Sequence, residues 1–250
     1  MTGALVGKVA LITGGASGLG LGMAREFLAR GARVAIVDKA AEGPADLAGN
    51  HAVAYVSADV TDPDAVERAF DAAQAALGPV DIVCVNAGMG QGDATLDLTF
   101  DAWRRVMALN LDAAFLTAQA AGRRMVPRGS GSILFTSSIY GIVAGPARLA
   151  YVVSKSGISA MAKALALEWS PSGVRVNAMA PGYVRTPLLD DLIARGKVDP
   201  DKLMAHTPLR RFVTVDEVAR LAAFIVSDEA SATTGHVATA DGGWTANGYL

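Results

Sequence analysis

The chain has 250 residues, of which 52% are hydrophobic and 18% charged, and its formal net charge is −2. This length fits one α/β domain, and the interspersed charges exclude the basic face of a nucleic-acid-binding protein. A single cysteine, Cys84, excludes an internal disulfide, and its apolar neighbours indicate a buried thiol. No apolar stretch reaches the ~18 residues that span a bilayer and no signal peptide is visible, so we expect a cytoplasmic protein without a membrane partner.

Seven short runs rich in apolar and β-branched residues alternate with longer helical patterns. The predicted strands are Val9–Thr13, Val34–Asp38, Val53–Ser57, Ile82–Asn86, Ile133–Ser137, Val174–Ala180 and Val237–Ala240. Their nearly continuous apolar character is typical of parallel strands that are buried on both faces. The pattern therefore predicts an α/β fold with a doubly wound, mainly parallel seven-stranded sheet and helices on both faces.

The predicted helices lie between these strands, at Leu19–Arg30, Asp64–Leu77, Phe100–Met125, Tyr151–Trp169 and Asp216–Ser227. Asp62-Pro63 supplies an N-cap followed by proline at the first helical position, and Gly78 ends that helix. We expect one domain over residues 1–250. A loop-rich insertion at about 183–214 follows a strand end, which is where ligands bind in such sheets.

The first predicted strand runs into the glycine-rich turn Thr13-Gly14-Gly15-Ala16-Ser17-Gly18-Leu19-Gly20, and a helix follows. Glycines let backbone N–H groups approach a pyrophosphate, and a helix N-terminus favours the anion. A tight turn that needs positive φ is the structural alternative. The strand–turn–helix context favours a dinucleotide site.

Asp38 ends the second strand, eighteen residues after Gly20. An acid at this position hydrogen-bonds the adenosine ribose hydroxyls and repels a 2′-phosphate, so it predicts NAD rather than NADP. Lys39 follows directly and keeps the NADP alternative open. Asp59 and Val60 follow the third strand and suit the adenine edge, although Asp59 fits a turn or helix-capping acid equally well.

Tyr151 and Lys155 are about one helical turn apart, so both side chains project from one face of the predicted helix. The ammonium favours the phenolate, which allows the tyrosine to exchange a proton near neutrality. Lowering a phenol pKa from about 10 to about 7 needs roughly 4 kcal/mol, which is more than a lysine alone readily supplies. We therefore expect further positive charge nearby.

Together these motifs resemble the short-chain dehydrogenase/reductase family in its single-domain form, across nearly the whole chain. The elements that carry the resemblance are Thr13-Gly14-x-x-x-Gly18-x-Gly20, Asn86-Ala87-Gly88, Asn110, Ser138, Tyr151-x-x-x-Lys155, Pro181-Gly182 and Thr186. The resemblance implies a Rossmann-type fold. It also implies an NAD(H)-dependent oxidoreductase that interconverts a small secondary alcohol and its ketone.

The resemblance further implies roles for single residues. Tyr151 is the expected general acid/base, Lys155 lowers its pKa and holds the nicotinamide ribose, and Ser138 positions the substrate oxygen. Asn110, expected in mid-helix, anchors a water that links Lys155 to solvent. Ser137 is the rival of Ser138, and an asparagine bonded to backbone is the alternative for Asn110.

The expected cofactor site extends over many elements. Its candidate residues are Gly14, Ser17, Gly18, Leu19, Gly20, Asp38, Asp59, Val60, Asn86, Gly88, Tyr151, Lys155, Pro181, Gly182, Val184 and Thr186. By resemblance, the Val184 backbone and the Thr186 hydroxyl bind the nicotinamide carboxamide. The candidate substrate-binding residues are Ser138, Tyr140, Tyr151 and Leu188. The three histidines show no metal-ligand spacing, so no metal is expected.

Three segments, 89–93, 139–144 and 188–193, are expected to form a mainly apolar substrate pocket. Within the class, the alternative is an NADP(H)-dependent carbonyl or 3-oxoacyl thioester reductase. From another class, a non-catalytic dinucleotide-sensing module keeps the glycine turn but usually loses the tyrosine or the lysine. The resemblance and the alanine-rich long helices predict a homotetramer.

Overall fold

The computed structural model describes residues 3–248, apart from the side chain of Leu188. Its strands are β1 (Val9–Thr13), β2 (Arg33–Asp38), β3 (Val53–Ser57), β4 (Ile82–Val85), β5 (Gly131–Thr136), β6 (Val174–Pro181), β7 (Val184–Arg185), β8 (Val213–Thr214) and β9 (Val237–Ala240). Its α-helices are α1 (Gly18–Ala29), α2 (Pro63–Leu77), α3 (Phe100–Met107), α4 (Ala113–Arg128), α5 (Leu149–Trp169), α6 (Pro187–Ala194), α7 (Pro200–His206) and α8 (Val215–Val226).

Seven strands form one sheet in the order β3-β2-β1-β4-β5-β6-β9. Every neighbouring pair is parallel, which confirms the predicted doubly wound, Rossmann-type sheet. The chain order reverses between β1 and β4, and ligands bind at such switch points. A small second sheet pairs β7 with β8.

The central strands β1, β2, β4, β5 and β6 are largely buried on both faces, whereas the edge strands β3 and β9 are only partly buried. Successive side chains of a strand point in opposite directions, so each central strand contributes to both layers of the core. In β1, Val9 and Leu11 pack in the layer with α2, α4 and α5, whereas Ala10 and Ile12 pack in the layer with α1 and α8. Cys84 of β4 is fully buried in the second layer, and burial raises its pKa. The prediction of a core thiol is therefore confirmed.

Helix α2 begins as the sequence predicts. The Asp62 carboxylate accepts a hydrogen bond of 3.0 Å from Asp64 N–H, and Pro63 occupies the first helical position. A side-chain acceptor here pairs an N–H that the helix itself leaves free.

No helix within residues 3–248 is long and apolar enough to cross a membrane.

Two predicted features differ from the structure. The single helix Phe100–Met125 is interrupted by a π-helical turn at Ala108–Asp112, which joins α3 to α4. The insertion at 183–214 is largely ordered, since it contains α6, α7 and the paired strands β7 and β8. Its prolines Pro187 and Pro200 each lie at the first position of a helix, where a missing N–H costs nothing.

Candidate active site

A cavity of about 830 Å³ opens where the loops that follow β1 to β6 meet. These loops converge because parallel strands all end at the same edge of the sheet. The predicted site residues that line the cavity are Gly14, Ser17, Gly18, Leu19, Asp38, Asp59, Val60, Asn86, Gly88, Ser138, Tyr140, Tyr151, Lys155, Pro181, Gly182, Val184 and Thr186. Gly20 and Asn110 do not line it, and the side chain of Leu188 lies outside the described residues.

The glycine-rich turn is closely packed against its surroundings. A Cβ on Gly20 would lie 2.2 Å from the carbonyl oxygen of Gly14, and one on Gly14 would lie 2.9 Å from Ala87 Cα. Gly18 has a φ of +52° and open space beside it, and among the described residues the Ser17 hydroxyl makes no capping hydrogen bond. A compact turn, followed by a helix whose first backbone N–H groups have no side-chain cap within residues 3–248, fits the pyrophosphate of a dinucleotide.

The two acids after β2 and β3 both hold local backbone. Asp38 accepts hydrogen bonds from Ala16 N–H (3.1 Å) and Ala40 N–H (3.2 Å), so its carboxylate also fixes the glycine turn. Asp59 accepts from the N–H (2.9 Å) and hydroxyl (2.7 Å) of Thr61, and these bonds lower its pKa. Asp59 is therefore a turn acid. Carboxylate oxygens have further lone pairs, so neither acid is prevented from accepting a bond from a ligand.

Asn86 joins the ends of the three central strands. Its amide nitrogen donates to the carbonyl oxygens of Thr13 and Gly14, each at 3.1 Å. Its amide oxygen accepts from the Thr136 hydroxyl at 3.2 Å, and its backbone N–H donates to the Thr13 hydroxyl at 3.0 Å. The glycine turn is thereby held beside the β4 and β5 loops.

Asn110 lies in the π-helical turn and is fully buried. Its side chain exchanges two hydrogen bonds with the backbone of Met89 (2.8 and 2.9 Å) and donates to the Ser154 hydroxyl at 3.1 Å. Gly88 permits this packing, since a Cβ there would lie 3.2 Å from Asn110 Oδ1 and 3.4 Å from Lys155 Nζ. Asn110 lies in mid-helix as expected, but within a π-helical turn, and its side chain is bonded to backbone as the alternative for this residue predicted.

The two candidate serines have different surroundings. Ser137 donates to the backbone carbonyl of Lys155 at 2.9 Å, and its oxygen lies 2.8 Å from the Ser159 hydroxyl. Ser138 instead accepts from Tyr140 N–H at 3.1 Å, and its hydroxyl beside the Tyr151 side chain lowers the pKa of that tyrosine. Ser138 is therefore the serine that contacts the tyrosine.

Tyr151 and Lys155 are brought to one wall of the cavity by α5, with Lys155 Nζ 5.7 Å from the centre of the tyrosine ring. Burial lowers the pKa of Lys155 to about 8, and its ammonium donates to the carbonyl oxygen of Thr136 at 2.8 Å. Burial also raises the pKa of Tyr151, while Ser138 and the charge of Arg148 lower it in part.

Lys155 was expected to lower the pKa of Tyr151, but the pKa of Tyr151 in the protein without a cofactor is raised. The reason is that burial disfavours the charged forms of both groups. The added positive charge beside Tyr151 is that of Arg148.

Sequence reasoning missed Arg148 and Tyr183, which both line the cavity. The guanidinium carbon of Arg148 lies 5.2 Å from the centre of the Tyr140 ring, and the Tyr140 and Tyr183 hydroxyl oxygens are 2.8 Å apart. Trp244 packs against Tyr183 with ring centres 5.1 Å apart. The sequence contains one signal for Arg148: it lies three residues before Tyr151, the first residue of the predicted helix.

Only part of each predicted substrate segment lines the cavity. The lining residues from these segments are Met89, Gly90, Ile139, Tyr140, Leu189 and Leu192. Ile142 and Val143 are exposed instead, and Gln91 is buried with its amide donating to the Asp93 carbonyl at 2.8 Å. In the described part of the chain, no three His, Cys, Asp or Glu side chains form a group able to hold a metal ion.

The chain is similar to known oxidoreductases over nearly its whole length. A family profile described as "Enoyl-(Acyl carrier protein) reductase" matches residues 14–245. The cis-4-hydroxycyclohexanecarboxylate dehydrogenase of Sinomonas cyclohexanicum is 39% identical, over 96% of this chain and 97% of that protein. The NADP-dependent (R)-specific alcohol dehydrogenase of Lentilactobacillus kefiri is 35% identical, over 98% and 100%.

A solved structure shows the same fold. The 3-ketoacyl-(acyl-carrier-protein) reductase from Brucella melitensis, complexed with NADH, has a TM-score of 0.90 and 33% identity, with 96% of this chain and 99% of that chain covered. The parallel seven-stranded sheet agrees with this structural match. The chain belongs to the short-chain dehydrogenase/reductase family of oxidoreductases.

Replacing Asn110 with alanine is expected to lower the free energy of unfolding by about 2–4 kcal/mol, because buried groups of Met89 and Ser154 lose their partners. Chemical denaturation measures the loss. Thr117→Val is the matched control, since this buried hydroxyl bonds only to Ala113 of its own helix. The control should lose about 1 kcal/mol or less, and equal losses would show that Asn110 has no special structural role.

Proposed function

We propose that this protein is an NAD(H)-dependent oxidoreductase that interconverts a small secondary alcohol and its ketone. The observation that carries the proposal is the placement of Ser138, Tyr151 and Lys155 on one wall of the cavity that also contains the glycine turn. Relatives named as dehydrogenases of a hydroxycyclohexanecarboxylate and of alcohols support it. Retention of all three side chains argues against a non-catalytic sensing module.

In the proposed reaction, Tyr151 takes the hydroxyl proton of the alcohol during oxidation and returns it to the carbonyl oxygen during reduction. Ser138, whose hydroxyl lies beside Tyr151, holds the same substrate oxygen. A bound oxidised nicotinamide would supply the acceptor for the hydride of the carbinol carbon and a positive charge beside the tyrosine.

The remaining groups hold the cofactor and move the proton. The Lys155 ammonium donates one hydrogen to Thr136, which leaves two donors for the nicotinamide ribose hydroxyls. Asn110 is proposed to anchor a water that links Lys155 to solvent, because both groups meet across Gly88. Pro181, Gly182, the Val184 backbone and the Thr186 hydroxyl are proposed to lie along the nicotinamide.

Tyr151→Phe is expected to leave NAD binding nearly unchanged and to reduce turnover by about 10²- to 10⁴-fold, because the proton donor and acceptor is lost. NADH absorbance reports turnover, and calorimetry reports binding. Tyr55→Phe removes a hydroxyl that bonds only to the Ala40 carbonyl and should behave as the unmodified protein. Undiminished turnover in Tyr151→Phe would refute the mechanism.

The choice of NAD over NADP rests on Asp38, which lines the cavity and fixes the glycine turn. A carboxylate there repels a 2′-phosphate. Lys39 also lines the cavity, and the Lentilactobacillus kefiri relative is named as NADP-dependent. An NADP(H)-dependent carbonyl or 3-oxoacyl thioester reductase is therefore the second candidate.

Asp38→Ser is expected to reduce the preference for NAD over NADP by at least about tenfold, because a repulsive charge is removed. The measurement is kcat/KM with each cofactor. Asp46→Ser provides the control, since this acid lies on the surface and pairs with Arg25. A preference that Asp38→Ser leaves unaltered would show that Asp38 does not contact the adenosine ribose.

We also propose that the chain acts in the cytoplasm as a single-domain homotetramer. The support is an apolar groove between α4 and α5 at the surface. Its lining residues are Leu111, Asp112, Phe115, Leu116, Gly157, Ala160, Met161 and Ala164. Exposed Phe115 and the small residues Gly157 and Ala160 suit close helix-to-helix contact with another copy.

Sedimentation velocity is expected to show a tetramer that Ala160→Glu converts to smaller species, because the charge would be buried in the contact. Lys163→Glu introduces the same residue on an exposed part of α5 outside the groove and should keep the assembly. A monomeric unmodified protein would overturn this assignment.

A further inference from the structure

Arg148 is the charged group at the tyrosine end of the cavity. It lies immediately before α5 and lines the cavity together with Ser138, Tyr140 and Tyr151. Its guanidinium carbon is 5.2 Å from the centre of the Tyr140 ring, and its charge lowers the pKa of Tyr151. The side chain is thus held by a ring beside the position proposed for the substrate.

Among the described residues, the charge of Arg148 has no counter-ion. Within residues 3–248, neither an ion pair nor a hydrogen bond involves its guanidinium, and its ring contact with Tyr140 is not a charge partner. Arg185, which also lies near the cavity loops, is by contrast paired with Asp190. An unpaired guanidinium in a partly enclosed cavity favours an anion, because it presents planar, charged donors away from bulk water.

The backbone before Arg148 is strained. Ala147 has a φ of +56°, a left-handed conformation that is unfavourable for an alanine. Such strain persists only where surrounding structure imposes it, and it is frequent at ligand sites. The strained residue directs the chain into α5, so that Arg148 precedes the helix that carries Tyr151.

A second donor lies beside the guanidinium. The hydroxyl oxygens of Tyr140 and Tyr183 are 2.8 Å apart, so one hydroxyl donates to the other. The hydrogen of the accepting hydroxyl remains available to a ligand. Both tyrosines line the cavity, and the charge of Arg148 acts on Tyr183 as well. The cluster therefore offers a guanidinium and a phenol to one anionic group.

We propose that Arg148, assisted by the Tyr140–Tyr183 hydroxyl pair, binds a carboxylate of the substrate. The substrate class is then a hydroxy acid and its oxo acid rather than a neutral alcohol or polyol. This inference rests on the proposed oxidoreductase function and assigns its specificity. A carboxylate matches the fork of a guanidinium with two parallel N–H···O bonds, which a neutral amide or hydroxyl does not.

The test compares ketones that differ in charge but not in size: 4-oxopentanoate with 4-oxopentanamide, and 5-oxohexanoate with 5-oxohexanamide. Reduction is followed by NADH consumption, and kcat/KM of each acid is divided by that of its amide. Any effect of Arg148 on the Tyr151 pKa acts on both members of a pair and cancels in this ratio. We expect the ratio to exceed 1 and to fall about 10- to 100-fold in Arg148→Gln.

Two variants accompany Arg148→Gln. Arg148→Lys keeps the charge but not the fork and should give an intermediate ratio. Arg104→Gln removes an arginine that lies 5.9 Å from the Phe100 ring outside the cavity, so it controls for net charge and should leave the ratio unchanged. Calorimetric titration of 4-oxopentanoate into the protein with NAD provides a reading that is independent of turnover.

The outcomes separate the inference from the proposed function. Reduction of the amides with no advantage for the acids, or a ratio that Arg148→Gln does not change, would overturn the carboxylate site and leave the oxidoreductase intact. Binding of 4-oxopentanoate that is lost in Arg148→Gln, without reduction of any ketone, would support the site and refute the proposed reaction. Absence of both binding and reduction of the acids would overturn the inference.

Discussion

The hydrogen bonds of Asn86 hold the ends of β1, β4 and β5 at one point, and the cavity is built around that point. Parallel strands already bring their carboxyl ends to one edge, but the loops beyond them need a fixed anchor. The Asn86 amide lies so close to the glycine turn that a Cβ on Gly20 would approach it to 2.7 Å. The glycine turn and the loop of Ser138 are thus parts of one packed arrangement.

Burial and positive charge shift the pKa of Tyr151 in opposite directions. Removal from water raises the pKa of Tyr151 and lowers that of Lys155, because each charged form loses hydration. Arg148 opposes this effect on the tyrosine from the substrate side. The same guanidinium therefore connects two properties of the site, the ionisation of the proposed acid/base and the charge of the proposed substrate.

Elements with a strong local pattern were predicted well. Val9–Thr13 and Val53–Ser57 have the predicted bounds, because a parallel strand needs only a short run of apolar and β-branched residues. The helix predicted at Phe100–Met125 is present, but its π-helical turn at Asn110 was not predicted. The partners of Asn110, Met89 and Ser154, are distant in sequence. No local propensity contains that information.

The strand–helix alternation, the glycine turn and the spacing of Tyr151 and Lys155 can all be read from the sequence, since each depends on residues close together in the chain. The folded structure was needed to show that Ser138, the serine expected by resemblance, lies beside Tyr151 while Ser137 bonds to the Lys155 carbonyl. It was also needed to show that Arg148 lies in the cavity with no counter-ion among residues 3–248. These outcomes depend on contacts between loops that follow different strands. Such contacts are set by the register and packing of the whole sheet, which a local pattern does not encode.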